Sequence, residues 1–212
     1  KENNLFIHFT DSLPATIGST VKATVDRTLR THTTQHHSAT HLLHAALRTV
    51  LGKHVAQKGS LVHAEQLRFD FSHFAKMTNE EIEAVAKLVN EKVKENVPVV
   101  IKEMSKDAAV EMGAMALFGE KYGDKVRVVI IDPNYSIELC GGTHIGSTGE
   151  LGIFKIRSES AVAAGVRRIE AISGETAAQY IDEQLSQLVS IREALKNPKE
   201  ILKAVESLNA EN

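Results

Sequence analysis

Four side chains that commonly bind metal ions stand in two short motifs of this sequence. His37 and His41 are four residues apart in HSATH, so on a helix their imidazoles point to one spot. Cys140 and His144 flank a glycine pair in CGGTH, and we expect these glycines to let the backbone fold back sharply. Three imidazoles and one thiolate form a donor set that suits Zn²⁺. The sequence therefore predicts a zinc site that joins both motifs.

Each motif alone also has an ordinary structural explanation. A stripe of histidines is more often a hydrated or hydrogen-bonded helix face than a metal site. A lone cysteine is often a small buried residue. Cys140 is the only cysteine of the chain, which suits a thiolate held by a metal rather than by a disulfide. Both motifs together favour zinc, with His36 as the alternative helical ligand.

A helix over residues 33–52 must carry the first histidines. Threonines at its start are expected to cap it, and Gly52 is expected to end it. On a helical wheel, alanines and leucines occupy one side, and His37, His41 and His44 occupy the other. We expect the apolar side to pack on a sheet and the histidine side to face a cleft or solvent. His44, one turn past His41, is predicted to be cavity wall or core.

Apolar runs predict the remaining elements. Strands are expected at residues 5–9, 21–25, 54–62, 67–71, 97–104, 125–132, 136–139, 152–157 and 166–172, with residues 125–132 central. A capping box at Thr78 opens one helix, packed on the sheet, and further helices are expected over residues 106–112, 177–195 and 198–208. This order predicts an α+β fold: helices on one mixed or mostly antiparallel sheet around the His/Cys cleft, with a C-terminal helical hairpin.

Composition is that of a globular protein without a membrane span. The 212 residues are 42% hydrophobic and 25% charged, with a net charge of −2. No run of about 18 apolar residues is present. A single cysteine and no visible signal peptide favour a cytoplasmic location. The chain does not open on Met, so we expect it to be a piece of a longer protein.

The two motifs and four longer stretches resemble the editing domain of bacterial-type alanyl-tRNA synthetases. These stretches are QKGSLV at residues 57–62, LRFDF at residues 67–71, AMALFGEKY at residues 114–122 and AGVRRIE at residues 164–170. The resemblance is dense over residues 27–174. Free-standing alanyl-tRNA editing proteins carry the same motifs, and the second additional domain of threonyl-tRNA synthetases is related.

The resemblance implies hydrolysis of the ester bond in tRNA(Ala) mischarged with serine or glycine. A synthetase pocket for a small side chain cannot exclude these amino acids well, and a second, hydrolytic site solves that problem. The implied partners are the acceptor end of tRNA(Ala) and the rest of a synthetase chain in cis. That parent enzyme would ligate alanine with ATP and Mg²⁺, for which this chain shows no recognisable binding core.

The resemblance also implies pocket residues near the zinc. Gln57 matches a family pocket position, where an amide can read a serine hydroxyl or orient water; the alternative is a surface glutamine. Ser60 is a second catalytic candidate. Zinc would either activate water or hold the substrate's amino group, and four protein ligands favour the second role. Arg68 and Asp70 share one strand face and are predicted to pair.

The expected RNA contacts are basic side chains, because the net charge gives no global sign of a nucleic-acid partner. The favoured candidates are Arg27, Arg30, Lys58, Arg167 and Arg168; Lys53, Lys155 and Arg157 are further ones. Arg167 and Arg168 alternate sides of a strand, so at most one of them faces a given partner.

We expect three parts and weigh three functions. Residues 1–29 would be the remnant of a preceding β-rich subdomain, residues 30–174 the zinc-binding editing domain, and residues 175–212 a helical extension. Leucines in the extension are near heptad spacing, which suits either a homodimer or simple docking. Editing in cis is the favoured function. The alternatives are a free-standing deacylase and a structural zinc module that binds tRNA without catalysis.

Overall fold

Two antiparallel sheets and five α-helices form the described part of the chain, residues 7–13, 16–115 and 123–211 of a computed structural model. The helices are α1 (Arg27–Leu51), α2 (Asn79–Glu95), α3 (Lys106–Glu111), α4 (Gly174–Ala194) and α5 (Ile201–Glu211). The strands are β1 (Gln57–Val62), β2 (Leu67–Ser72), β3 (Val99–Ser105), β4 (Lys125–Ile131), β5 (Ser136–Leu139), β6 (Phe154–Ala163) and β7 (Val166–Ser173).

The strands divide into two sheets with the orders β1-β2-β7-β6 and β3-β4-β5. The predicted α+β class is confirmed, but the expected single sheet is wrong. β4 is the centre of the smaller sheet, as predicted. One face of β4 joins the main core through Val129 and Ile131, and the other packs Val128 against α3. Burial on both faces explains why this strand is a continuous apolar run.

The central helix begins earlier than residue 33. Asp26 caps it by accepting a 3.0 Å hydrogen bond from the Leu29 amide. The Thr31 and Thr33 hydroxyls donate to carbonyls one turn back, so these threonines lie inside the helix and do not cap it. Gly52 ends the helix, as predicted, with a φ of 115°.

Helix α1 is buried around its middle turns, and this determines where its histidines lie. Its leucines join the aromatic side chains of β2 in the main core, and α1 contacts strands of both sheets. His41 and His44 are each only 5% exposed. Of the two surroundings expected for the histidine side, a cleft or solvent, the structure excludes solvent for these two residues. The capping box of α2 is confirmed, but α2 packs mainly on α1 rather than on a sheet.

The N-terminal strands are not found in the described residues. Residues 1–6 lie outside them, and residues 7–9 and 21–25 form no strand. The described residues supply no neighbouring strand there, and a strand without partners leaves its backbone groups unpaired. Most of the AMALFGEKY stretch, residues 116–122, also lies outside the described part. Because α1 begins at Arg27, the expected boundary after residue 29 would cut this helix.

Both C-terminal helices form, and they are largely exposed. Leu185 and Leu188 on α4 are 55% and 46% exposed. A homodimer through these leucines remains a prediction. None of the described helices has the length and apolar character needed to cross a membrane.

Candidate metal centre

The four predicted metal ligands converge at one point. The ligand atoms of His37, His41, Cys140 and His144 all lie within 4.8 Å of one another. Nε2 of His37 is 3.3 Å from the Cys140 sulfur, and Nε2 of His144 is 3.4 Å from it. Donors on a tetrahedral zinc with bonds of about 2.0–2.3 Å are about 3.3–3.7 Å apart. The residues present therefore fit a four-coordinate metal ion.

The second ring nitrogen of each histidine contacts a group around the cluster. Nδ1 of His37 lies 3.1 Å from the Thr143 carbonyl oxygen. Nδ1 of His144 lies 3.0 Å from the Ser38 hydroxyl, and Nδ1 of His41 lies 3.4 Å from a carboxylate oxygen of Glu138. Ring nitrogens held in this way fix the orientation of a metal-binding histidine. The arrangement leaves Nε2 of each ring for an ion.

One glycine of the turn, Gly142, matters because it lacks a side chain. The turn brings Cys140 and His144 together as predicted, and neither Gly141 nor Gly142 has a positive φ in it. A Cβ on Gly142 would overlap the His37 ring, whereas a Cβ on Gly141 would meet no atom within 4 Å. Gly142 is therefore needed so that the turn can approach the helix closely.

Gln57 and Ser60 line a cavity that is also lined by three of the four predicted metal ligands. The cavity has a volume of about 150 Å³ and is lined by His37, Thr40, His41, Gln57, Ser60, Val62, Glu138, Leu139 and Cys140. Residues three apart on a regular strand point to opposite faces. A register shift between Gln57 and Gly59 changes that alternation, which lets both side chains reach the cavity.

Burial keeps the histidines of the centre neutral. It lowers the pKa of His37 to about 4 and that of His144 to about 2, and it also lowers the pKa of His41. The Arg127 guanidinium, which donates to the Cys140 carbonyl, contributes to each shift. Neutral imidazole is the form that binds metal ions. At neutral pH these three imidazoles are therefore in the form that can bind a metal ion.

We expect the metal-free chain to lose stability as the pH falls from 6.5 towards about 4. His37 would protonate near 6.5 when unfolded but only near 4 when folded, so the unfolded state binds more protons in this window. The stabilisation is complete above pH 6.5 and disappears as the pH falls through the window. Thermal unfolding of the chelator-treated chain measures it as a falling Tm. A His37→Gln variant with an equally steep fall would contradict this assignment.

Comparison with known proteins supplies the family. Residues 126–170 match the family described as "Threonyl and Alanyl tRNA synthetase second additional domain". An alanine–tRNA ligase of Cytophaga hutchinsonii is 54% identical over 98% of this chain and 24% of its own length. One of Acetivibrio thermocellus is 57% identical over 90% of the chain and 22% of its own length. The chain belongs to the alanyl-tRNA synthetase family. It spans about a quarter of the length of these relatives.

Two predicted RNA contacts of this synthetase segment are occupied by ion pairs. Arg167 binds Glu159, and Arg168 forms a double hydrogen bond with Asp70 at 2.6 and 2.8 Å. The Arg168 hydrogen bond lowers the pKa of the Asp70 carboxyl despite partial burial. The predicted pairing of Arg68 with Asp70 is present as a longer contact of 3.7 Å.

The remaining cationic candidates lie on the surface of the synthetase segment. Arg27 and Arg30 line an open depression of about 530 Å³ with Lys22, at the start of α1. Lys58 is exposed, as are Lys53, Lys155 and Arg157. RNA binding by these side chains remains a prediction.

Two further histidines of α1, His36 and His44, lie outside the ligand cluster of this synthetase segment. His36 contacts the His63 carbonyl at 2.8 Å and accepts a hydrogen bond from the Ser173 amide. The alternative that His36 binds the metal is therefore wrong, because both of its ring nitrogens are engaged elsewhere. His44 is buried beside Phe69, in agreement with its expected core position.

Sequence reasoning missed three residues that contact the predicted ligands: Glu138, Arg127 and Ser38. Glu138 stands two residues before Cys140 on the same strand. Strand alternation places such residues on one face, so this carboxylate had a detectable signal. Arg127 and Ser38 gave none, because their contacts join residues far apart in the sequence.

Proposed function

We propose that this segment edits alanine–tRNA ligation by hydrolysing tRNA(Ala) mischarged with serine or glycine. One observation carries the proposal: Gln57 and Ser60 share a small cavity with three of the four clustered metal ligands. A volume of about 150 Å³ suits a small amino acid. The relatives are named alanine–tRNA ligases, which supports tRNA(Ala) as the acceptor and the rest of such a chain as a partner in cis. We place this function in the cytoplasm.

The proposed cofactor is Zn²⁺, held by His37, His41, Cys140 and His144. Imidazole and thiolate donors favour this metal over Mg²⁺ or Ca²⁺, which prefer oxygen. When bound, it would supply Lewis-acid attraction for the amino group or carbonyl oxygen of the aminoacyl end. Because four protein donors complete a tetrahedron, we propose that the centre anchors the substrate end.

Gln57 and Ser60 are proposed to act on the anchored ester. The Gln57 amide can donate to a serine hydroxyl and accept from a water molecule at the same time. Water attacks the ester carbonyl carbon, a C–O bond forms, and the bond to the tRNA ribose oxygen breaks. The products are the free amino acid and uncharged tRNA(Ala). Positioning suffices because the ester of an aminoacyl-tRNA is already activated.

We also propose how the chain divides into domains. Residues 30–174 would form the editing domain, together with residues 27–29 because α1 includes them. Residues 175–212 would form a helical extension towards further parts of the synthetase. The first part, up to residue 26, would connect to a preceding subdomain.

A structural metal module is the second candidate. It is favoured by the four ligands, because a closed tetrahedral site usually stabilises a fold rather than catalysing a reaction. Under this alternative the segment binds tRNA(Ala) without hydrolysing the ester. A free-standing deacylase would share the proposed chemistry but act on tRNA released by another chain.

The deciding experiment compares two substrates. The purified chain, with its metal content measured, is mixed with Ser-tRNA(Ala) and Ala-tRNA(Ala), and loss of the amino acid is followed over time. We expect selective loss of serine. A short acceptor-stem substrate at high concentration removes any need for distant tRNA contacts. If the metal-loaded chain hydrolyses neither the full tRNA nor this short substrate, the structural alternative replaces our proposal.

A further inference from the structure

A buried carboxylate links two histidines of α1 behind the metal centre. The Glu138 side chain is only 7% exposed. Its Oε2 lies 3.4 Å from Nδ1 of His41, and its Oε1 lies 3.2 Å from Nδ1 of His44. The Ser136 hydroxyl is 3.4 Å from Oε1. Glu138 is thus shared between a metal ligand and a histidine that is not a ligand.

The contacts of this carboxylate determine where the ring protons lie. An ionised carboxylate only accepts hydrogen bonds, so each facing Nδ1 carries a proton. Nδ1 of His41 makes no hydrogen bond within the described residues, and the acceptor that faces it is the Glu138 carboxylate at 3.4 Å. Nε2 of His44 has no partner in the described part of the chain. Its proton therefore belongs on Nδ1, because a buried unsatisfied donor is costly.

A proton on Nδ1 of His41 leaves the lone pair on Nε2, the nitrogen that joins the cluster. Neutral imidazole in this tautomer can donate to a carboxylate on one side and to a metal ion on the other. The charge of Glu138 is consistent with this role. A buried carboxylate without a cationic partner is unfavourable, and two N–H donors and a nearby cation would offset that cost.

We propose that Glu138 is the positioning residue of the metal centre. It holds His41 in the tautomer and orientation that bind the ion, and His44 holds Glu138 in place. This inference rests on the metal site of the proposed function. A purely structural role for Glu138 would stabilise the fold and leave metal affinity unchanged, so the two roles are separable by measurement.

The test is Glu138→Gln, which keeps the side-chain shape but replaces one acceptor oxygen by a donor amide. Zn²⁺ affinity is measured by competition with a chelator, and Co²⁺ absorption reports ligand geometry. We expect affinity to fall about 10- to 100-fold, as for other groups that orient a metal ligand, and the Co²⁺ spectrum to change. Metal-free thermal unfolding is measured in parallel to separate affinity from stability.

The matched control is Glu159→Gln. Glu159 is another carboxylate with a buried side chain, 2% exposed, but it pairs with Arg167 on the larger sheet. We expect this variant to lower stability and to leave Zn²⁺ affinity within about twofold, because no ligand contacts it. If Glu138→Gln behaves in the same way, the positioning role is refuted. If the unchanged chain binds no Zn²⁺, the metal site of the proposed function fails as well.

Two substitutions of His44 test the same role if Glu138→Gln does not fold. His44→Asn retains a donor near the position of Nδ1, whereas His44→Phe keeps an aromatic ring beside Phe69 and removes the donor. We expect the phenylalanine variant to bind Zn²⁺ several-fold more weakly than the asparagine variant. Equal affinity of the two variants would contradict the inference.

Discussion

Replacing Cys140 with alanine is expected to abolish selective hydrolysis of Ser-tRNA(Ala). The thiolate is one of four donors, and its sulfur lies 3.3–3.4 Å from the Nε2 atoms of His37 and His144. Without it, three neutral imidazoles remain, which bind a divalent ion more weakly. Loss of one ligand should exceed the about 10- to 100-fold effect of losing an outer contact, in both Zn²⁺ affinity and deacylation rate. Chelator competition and deacylation assays measure the two quantities.

The matched control for this experiment is His54→Ala. His54 contacts His73 at 3.0 Å and lies outside the cluster, so its loss removes a potential ligand without touching the centre. We expect normal metal content and normal deacylation from this variant. Retained serine hydrolysis in a metal-free Cys140→Ala chain would show that the reaction does not depend on the proposed centre.

Gly142→Ala is expected to disrupt the metal centre as strongly as loss of a ligand. The added methyl group would lie 2.6 Å from Nδ1 of His37 and closer still to Cε1, well inside van der Waals contact. Either the ring or the turn must move, which displaces Nε2 of His37 from the Cys140 sulfur. We predict a fall in Zn²⁺ affinity of at least about tenfold, since reorienting a ligand through its surroundings has that effect.

The neighbouring glycine provides the control. A methyl group on Gly141 would meet no atom within 4 Å, so Gly141→Ala should bind Zn²⁺ like the unchanged chain. Both variants change the backbone entropy of the same turn similarly, and only one places an atom against a ligand. Equal affinities for the two alanine variants would refute the steric role that we assign to Gly142.

Local sequence signals predicted much of the fold because local physics produces those elements. The hairpin of β1 and β2 follows from two β-rich runs around a short turn, and His63 and Gln66 close it with a 2.9 Å hydrogen bond. The capping box of α2 satisfies backbone donors with side chains three residues apart. The N-terminal strands were predicted wrongly where the structure describes them. Their apolar residues alternate as in a strand, but the described residues offer no partner strand.

The ligand types were also readable from the sequence, because helical spacing and donor chemistry together limit the possible sites. The helical repeat alone was enough to predict that His37 and His41 lie side by side. The short spacing between Cys140 and His144 was enough to predict that these two side chains converge. The sequence by itself thus determined which four side chains form the cluster that could hold a metal ion.

Only the tertiary structure decided how that centre is supported. The close approach of the turn explains Gly142, the register shift in β1 brings Gln57 and Ser60 to one cavity, and the smaller sheet buries His41 against Glu138. Asp70 and Arg168 are 98 residues apart, yet their pairing decides that this arginine is engaged within the protein. Such contacts arise from long-range packing between elements, and no periodicity within one element encodes them.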